Sequence, residues 1–283
     1  MKKINIGGKI YLILTVVYVL LAVNYYVRND SSMGSTWLCL AFSMFCIGIS
    51  TGNEEKKTKK SKKKEAIFLD FYGTVVFEDG ENIEKISKII QETGEVNDIS
   101  EVGSYWWDEF YDLFVNAYGE TFRTQRDIEM QSLVKTIEHF KSSADAIKLS
   151  NEMFAYWQKP PIFEEAKQFF ETSPVPIYIV SNIDTEDIRE AIKFHGLKPA
   201  AVFTSEDAKS YKPRKELFEY ALKATGLKPE QVVHIGDSLS SDVKGASALG
   251  IDTIWLNRRN REVPEGVCSV GNLLEVFETK FFK

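Results

Sequence analysis

The chain has 283 residues and a net charge of −6, which is long enough for one large domain or two smaller units. Residues 1–64 carry eleven basic residues against three acidic ones, so the rest of the chain is strongly acidic. An acidic domain argues against nucleic-acid binding, which needs positive charge to neutralise phosphates, and three cysteines argue against a disulfide framework.

Two uncharged apolar runs near the N-terminus predict a membrane hairpin over residues 1–53, with helices at about 10–27 and 37–50. The second run is the shorter one, so one spanning helix followed by an interfacial segment is an alternative. A cleaved signal peptide is disfavoured, because no small-residue cleavage site follows the first run.

Lysines flank both apolar runs. Lys2, Lys3 and Lys9 precede the first run, and the segment Lys56–Lys64 follows the second. Because positive flanks stay in the cytoplasm, the pattern predicts a multi-pass cell-membrane protein with a cytoplasmic globular domain. Residues 54–65 are interpreted as a basic linker, which either fixes this topology alone or also lies on anionic headgroups.

From residue 66 onwards, short apolar runs alternate with amphipathic segments. The predicted strands are residues 66–71, 176–181, 201–204, 231–235 and 252–256. This alternation predicts an α/β fold with a doubly wound parallel sheet, formed by residues 66–80 and 169–283. Residues 81–168 interrupt the alternation and predict a helical cap inserted after the first strand. Its aromatic cluster at 105–114 is interpreted as cap core, with a substrate pocket as the alternative.

Polar residues follow several of the predicted strands, where parallel sheets bind their ligands. They are Asp70, Tyr72 and Thr74, then Ser181 and Asn182, then Lys212, and finally Asp237 and Asp242. Asp70 is suited to act as a nucleophile, and carboxylates such as Asp237 and Asp242 suit Mg²⁺. Lys212 would neutralise phosphoryl oxygens, while Ser181 and the Asn182 N–H would hold another phosphate oxygen.

Over residues 66–275 this ordered series resembles the haloacid dehalogenase superfamily, in its subfamily with a cap between the first two motifs. The resemblance implies a Rossmann-like fold and a Mg²⁺-dependent phosphohydrolase that acts on a small phosphorylated substrate through an aspartyl phosphate. It implies catalytic roles for Asp70, Tyr72 and Lys212, and phosphate contacts from Thr74, Ser181, Asn182 and Lys212. The implied metal ligands are Asp70, the Tyr72 carbonyl, Asp237 and Asp242.

Tyr72 departs from the pattern of the family's phosphatases, which have an acid–base aspartate there. A phenol with a pKa of about 10 is no base at neutral pH, and losing such a group costs about 10²–10⁴-fold in rate. The family's L-2-haloacid dehalogenases carry tyrosine at this position, so a 2-haloacid dehalogenase is an alternative function. Those enzymes lack the Gly-Asp pair that this chain keeps at Gly236-Asp237, and they carry a cap arginine that residues 95–105 lack. Phosphate chemistry is therefore favoured.

Two further interpretations remain. Without an acid–base group, the domain could instead be a catalytically weak phosphate-binding sensor or scaffold. Asp184 is a conceivable substitute base, although capping of the following helix is the favoured role. The three histidines show no metal-ligand spacing and are interpreted as structural: His139, His195 and His234.

Overall fold

The computed structural model describes residues 6–27 and 63–283. The chain divides into two compact units, residues 1–61 and 62–283. In the first unit, helix α1 spans Ile6–Val27 and includes the predicted helix at 10–27. Among the described helices, none is long and apolar enough to cross a membrane, so the predicted membrane hairpin is not supported. The second apolar run, 37–50, lies outside the described residues.

The second unit is built on a parallel sheet of six strands in the order β3-β2-β1-β4-β5-β6. The strands are β1 Ala66–Leu69, β2 Ile177–Ser181, β3 Ala201–Thr204, β4 Val232–Gly236, β5 Asp252–Leu256 and β6 Ser269–Val270. The predicted parallel α/β fold is confirmed. Strand β6 was not predicted, because two residues are too few to produce a periodic pattern.

Four helices lie between β1 and β2 and are called the cap helices below: α2 Gly80–Thr93, α3 Ile99–Val115, α4 Gln125–His139 and α5 Ala146–Gln158. The later helices are α6 Ala166–Thr172, α7 Thr185–His195, α8 Ser205–Ala208, α9 Lys215–Thr225 and α10 Gly245–Ser247. A π-helical turn, Leu239–Lys244, precedes α10, and 3-10 turns occur at Gly119–Thr121, Pro229–Gln231 and Leu273–Glu278. The predicted division into a core and a cap at residues 81–168 stays a prediction.

Strand β1 is buried on both faces. Ile67 and Leu69 pack into the apolar cluster that includes residues of the cap helices, whereas Ala66 and Phe68 pack with α9 on the other face. Such two-sided burial is typical of parallel sheets, and each large apolar side chain contributes about 1.5–3 kcal/mol. Beyond Leu69 the chain leaves the sheet, because the N–H groups of Val75 and Val76 both donate to the Phe71 carbonyl. Asp70 is thereby held at the end of a rigid strand.

The end of the predicted basic linker belongs to the folded domain. Lys64 is buried, and its ammonium group lies 2.6 Å from Asp252 and donates to the Glu230 carbonyl at 2.8 Å. The Glu65 N–H donates to the Gln231 carbonyl. A partner 188 positions away in sequence therefore neutralises the lysine near the end of the predicted linker, whose bounds at 54–65 stay a prediction.

A buried carboxyl group lies within the cap helices. Glu129 on α4 is 5 % exposed, and its Oε1 atom has no hydrogen-bond partner in the described part of the chain. Burial, with a smaller contribution from the nearby charge of Asp79, raises the pKa of Glu129 to about 8. Glu129 is therefore protonated in the folded protein at neutral pH.

Replacing Glu129 by glutamine is expected to flatten the dependence of stability on pH. Between about pH 4.5 and pH 8 the folded protein keeps a proton that the unfolded chain releases, so raising the pH lowers the free energy of unfolding by about 1.4 kcal/mol per unit. The Glu129→Gln variant has no carboxyl group to titrate at this position. Its free energy of unfolding should therefore rise relative to that of the wild type as the pH rises. Urea unfolding across this range measures the difference, with the exposed Glu138→Gln on the same helix as control. If the free energy of unfolding changes with pH in the same way for the wild type and Glu129→Gln, Glu129 is not protonated in the folded protein at neutral pH.

Candidate active site

Three carboxyl groups meet beyond the carboxyl ends of two neighbouring strands. Asp70 follows β1, and Asp237 and Asp242 follow β4. The Asp70 N–H donates to the Ile235 carbonyl at 2.9 Å and continues the pairing of the two strands. Each acid offers a carboxylate oxygen within 4.8 Å of the other two. The structure thus brings together three of the residues predicted to hold a metal.

Lys212 lies between two of these carboxylates. Its Nζ atom is 2.7 Å from Asp70 Oδ1 and 2.6 Å from Asp242 Oδ1, and the residue is only 2 % exposed. Burial opposes the charge on Lys212, but the carboxylates of Asp242 and Asp70 outweigh it and raise the pKa of the lysine. Lys212 is therefore a fixed positive charge beside the candidate nucleophile.

The Asn182 side chain positions Lys212. Asn182 Oδ1 accepts from the Lys212 N–H at 2.7 Å, and Asn182 Nδ2 donates to the Lys212 carbonyl at 3.0 Å. This pair of hydrogen bonds holds the main chain of the lysine at the end of β2. The sequence predicted a phosphate contact from the Asn182 N–H but did not predict this clamp.

Asp242 is held by three donors. Its Oδ1 accepts from Lys212 and from His234 Nε2 at 2.9 Å, and its Oδ2 accepts from the Ser238 N–H at 3.1 Å. Burial alone would raise the pKa of Asp242, but the charge of Lys212 and the bond from His234 hold it below its ordinary value. Gly236 makes room for this arrangement, since a Cβ there would lie 2.2 Å from Asp242 Cγ.

The interpretation of His234 as merely structural was incomplete. The residue is fully buried on β4 and its ring contacts a predicted metal ligand. A signal was present in the sequence, because His234 is the one polar side chain in the strand Val232–Gly236. A buried imidazole needs a hydrogen-bond partner, and the carboxylate of Asp242, eight residues further along the chain, supplies it.

Asp237 completes the acidic cluster. Burial, together with the charges of Asp70 and Asp242, raises its pKa to about 8. Gly73 has a φ of +82°, and a Cβ there would lie 2.8 Å from Asp237 Oδ2. Three acids crowded around a space that glycines keep open form a donor set suited to a hard divalent cation, which would offset their repulsion. The residues present fit Mg²⁺.

Two predicted phosphate contacts lie at the same place. Thr74 is fully buried and its Oγ1 donates to Asp70 Oδ2 at 3.0 Å, so it orients the candidate nucleophile. Ser181 lines the cavity in front of Asp70.

The Tyr72 hydroxyl is directed to the cap helices. It donates to the Trp157 carbonyl near the end of α5 at 2.5 Å. Burial raises the pKa of Tyr72 well above its ordinary value, and the charges of Asp187 and Asp79 raise it further. A phenol that keeps its proton and donates it to a main-chain oxygen is unsuited to acid–base work.

Asp184 has a different role from either one predicted for it. Its side chain makes no hydrogen bond at the start of α7, its own helix. Instead it accepts from the N–H groups of Gln125 and Arg126 at 2.8 and 3.0 Å. These are unpaired donors at the N-terminus of α4, where a carboxylate is stabilising. Asp184 therefore joins the cap helices to the sheet, and the Arg126 guanidinium adds a salt bridge to Asp187.

A cavity of about 780 Å³ opens in front of the acidic cluster. Asp70, Ser181 and Lys212 lie at one part of its wall, and four aromatic residues of α3 form another: Trp107, Phe110, Tyr111 and Phe114. The interpretation of the aromatic cluster as cap core is therefore only partly right. Trp106 is buried and Tyr105 packs against the apolar core, but these four line the cavity.

Residues 64–250 match the haloacid dehalogenase-like hydrolase family, and the chain belongs to it. Among curated proteins, the chain is 37% identical over 76 residues to the pyrimidine 5'-nucleotidase YjjG of Escherichia coli, covering 26% of this chain and 33% of the relative. It is 31% identical over 140 residues to phosphoserine phosphatase of Thermus thermophilus, covering 47% of this chain and 56% of the relative. The chain thus spans about one third to one half of the length of these relatives.

Solved structures share the fold at low sequence identity. The magnesium-bound HAD-hydrolase YfnB of Bacillus subtilis has a TM-score of 0.61 at 20% identity, covering 77% of this chain and 98% of that one. The L-2-haloacid dehalogenase of Xanthobacter autotrophicus has a TM-score of 0.59 at 16% identity, covering 75% and 96%. The protein is therefore a member of the haloacid dehalogenase-like hydrolase family that has phosphatases among its relatives and shares its fold with a dehalogenase.

Proposed function

We propose that the protein is a Mg²⁺-dependent phosphohydrolase that acts on small phosphorylated molecules through an aspartyl phosphate at Asp70. The observation that carries the proposal is the cluster of Asp70, Asp237 and Asp242, whose carboxylate oxygens lie within 4.8 Å of one another beside the buried Lys212. So much negative charge would repel a phosphate unless a cation is bound there.

Each residue has a defined task in the proposed reaction. Asp70 attacks phosphorus and forms the acyl phosphate, which water then hydrolyses. Lys212 neutralises charge on Asp70 and on the phosphoryl oxygens, and Ser181 and the Asn182 N–H hold another oxygen. Asp70, Asp237, Asp242 and the Tyr72 carbonyl would hold Mg²⁺, which supplies charge neutralisation when bound.

The proposal is tested by phosphate release from a panel of phosphate esters and acyl phosphates, using the full chain with Mg²⁺ and with EDTA. We expect release that depends on Mg²⁺. Absence of release from every substrate would contradict the proposal.

A dehalogenase is the second candidate, because Tyr72 stands where the family's phosphatases have an acid–base aspartate. A 2-haloacid carries its own carboxylate, and three crowded acids disfavour its approach. Chloride release from 2-chloropropionate distinguishes the two functions. A phosphate-binding sensor or scaffold is the third candidate, and binding of phosphate esters without turnover would favour it.

Replacing Tyr72 by aspartate is expected to raise turnover of alkyl phosphates by roughly tenfold or more, because a general acid–base group is worth about 10²–10⁴-fold. The control is Tyr72→Phe, which removes the hydrogen bond to the Trp157 carbonyl but supplies no carboxyl group. Initial rates of phosphate release measure the effect. Equal rates for the two variants would show that this position does not limit turnover.

Location at the cytoplasmic face of the cell membrane remains a proposal. It relies on the two apolar runs and on the lysines between residues 56 and 63. Fractionation of cells that express the full chain tests it, and recovery in the soluble fraction would contradict it.

A further inference from the structure

We infer that the leaving group of the substrate is a phenol, so that the protein hydrolyses aryl phosphates whose ring stacks on the aromatic wall of the cavity. The inference rests on the proposed function and names its substrate class.

The aromatic wall is a second stripe on helix α3. Trp107, Phe110, Tyr111 and Phe114 are spaced as neighbours on one face of a helix, whereas Val102 and Trp106 supply the buried face. Trp107 is 60 % exposed and Tyr111 is 51 % exposed. Phe110 and Phe114 also pack against a small apolar cluster that includes Ala117 and Ile128, whereas Trp107 and Tyr111 line the cavity outside the apolar clusters. Exposed aromatic side chains in a cavity wall are typical of a ligand-binding surface.

The rings form a surface suited to a flat ligand. The Trp107 and Phe110 rings are 5.9 Å apart and within 14° of parallel, and the Phe110 and Phe114 rings are 5.9 Å apart and within 21°. Phe114 in turn lies 4.5 Å from Tyr211, the residue before Lys212. The wall therefore reaches the catalytic lysine, and a ring attached to the reacting phosphate would lie along it.

The carboxyl groups near Tyr72 are engaged elsewhere. Asp79 accepts from the Trp157 indole N–H, Asp184 accepts from the start of α4, and Asp187 binds Arg126. Among the described residues that line the cavity, Glu78 is the remaining carboxyl group besides the cluster, and it lies 3.6 Å from Arg259. Asp79, Asp184 and Asp187 are thus occupied by other contacts, and Glu78 is paired with a cation.

A leaving oxygen without a proton donor must depart as an anion. Phenols have a pKa of about 10, whereas an alkyl alcohol is closer to water at about 15.7, and negative charge develops on this oxygen in phosphoryl transfer. In the first step an Asp70 oxygen forms a bond to phosphorus, the bond from phosphorus to the aryl oxygen breaks, and its electron pair leaves on the phenolate, which takes a proton from water. Water then cleaves the acyl phosphate, which releases phosphate and restores Asp70.

The leaving-group preference is tested with ring-substituted phenyl phosphates and with glycerol phosphate, using the full chain with Mg²⁺. We expect kcat/KM to rise at least tenfold as the pKa of the leaving group falls from alkyl alcohol to nitrophenol, and this dependence to weaken in Tyr72→Asp. If kcat/KM of the wild type does not depend on the pKa of the leaving group, the inference is overturned. A profile that steepens in Glu78→Gln would also overturn it, because Glu78 would then be protonating the leaving group.

The stacking surface is tested with Trp107→Ala and Tyr111→Ala, the two exposed rings of the wall. Each variant should raise KM for phenyl phosphate by roughly tenfold, the effect of losing one aromatic contact, and should raise KM for acetyl phosphate, which carries no ring, by a clearly smaller factor. Phe194→Ala is the matched control, since this phenylalanine is 57 % exposed and does not line the cavity. An equal loss for both substrates, or no loss, would overturn the inference. If the wild type releases no phosphate even from acetyl phosphate, the proposed function itself fails.

Discussion

Replacing Asp70 by asparagine is expected to lower phosphate release by at least about 10⁴-fold, because the variant loses its nucleophile. The amide has the same size as the carboxyl group, and its one oxygen can still accept from Lys212, which donates to Asp70 Oδ1 in the wild type. The amide nitrogen then takes the place of Oδ2 and can donate to the Thr74 hydroxyl, which donates to Oδ2 in the wild type. The fold should therefore persist. Phosphate release with Mg²⁺ measures the loss, and thermal unfolding checks that the variant is folded.

The control for this variant is Asp252→Asn, which also removes the charge of an aspartate that binds a lysine. Asp252 is on β5, its side chain is 52% exposed, and its partner is Lys64 rather than Lys212. Its activity should match the wild type. Activity of Asp70→Asn close to that of the control would show that the nucleophile is another group.

Replacing Lys212 by methionine is expected to lower the free energy of unfolding by about 3–5 kcal/mol, since it leaves buried carboxylates without their cation. Lys212 binds Asp70 and Asp242 while only 2% of its side chain is exposed. The variant should also lose phosphate release, because no fixed charge would then neutralise the phosphoryl oxygens. Urea unfolding without added metal measures the change in stability.

Lys215→Met is the matched control for that experiment. Lys215 forms a surface pair with Glu219 one helical turn away, and its side chain is 61% exposed. Such pairs contribute only about 0.3–0.5 kcal/mol. If the two variants lose the same small amount of stability, Lys212 does not neutralise the buried carboxylates as the geometry implies.

The part of the site that follows from strand topology could be predicted from the sequence. The apolar run before Asp70 and the run before Gly236-Asp237 indicate neighbouring strand ends, and parallel strands bring such ends to one edge. The gathering of Asp70, Asp237 and Asp242 is a consequence of that rule together with the resemblance to the family.

Contacts between side chains distant in sequence could not be predicted in this way. Asn182 gave no sign that it would clamp the main chain of Lys212, and Asp184 gave none that it would hold the start of α4. Both depend on the position of helices relative to the sheet, which one sequence does not reveal. The sequence likewise does not distinguish Lys64 from the other lysines of its run, because its ion pair with Asp252 depends on the fold.

The cavity-facing stripe of α3 could be predicted only in part from the sequence. The spacing of Trp107, Phe110, Tyr111 and Phe114 was visible in the sequence, but the same helix carries a second apolar face through Val102 and Trp106. Periodicity alone does not tell which face meets the core. The exposure of Trp107 and its place on the cavity wall decide the question.

The most direct test of the proposed mechanism is mass spectrometry of the full chain after rapid acid quench with phenyl phosphate and Mg²⁺. The mechanism predicts one phosphoryl group on the peptide that contains Asp70 and none on the Asp70→Asn variant. Absence of that group, together with a 1-carboxyethyl ester on Asp70 after chloride is displaced from 2-chloropropionate, would contradict phosphoryl transfer and establish halide displacement instead.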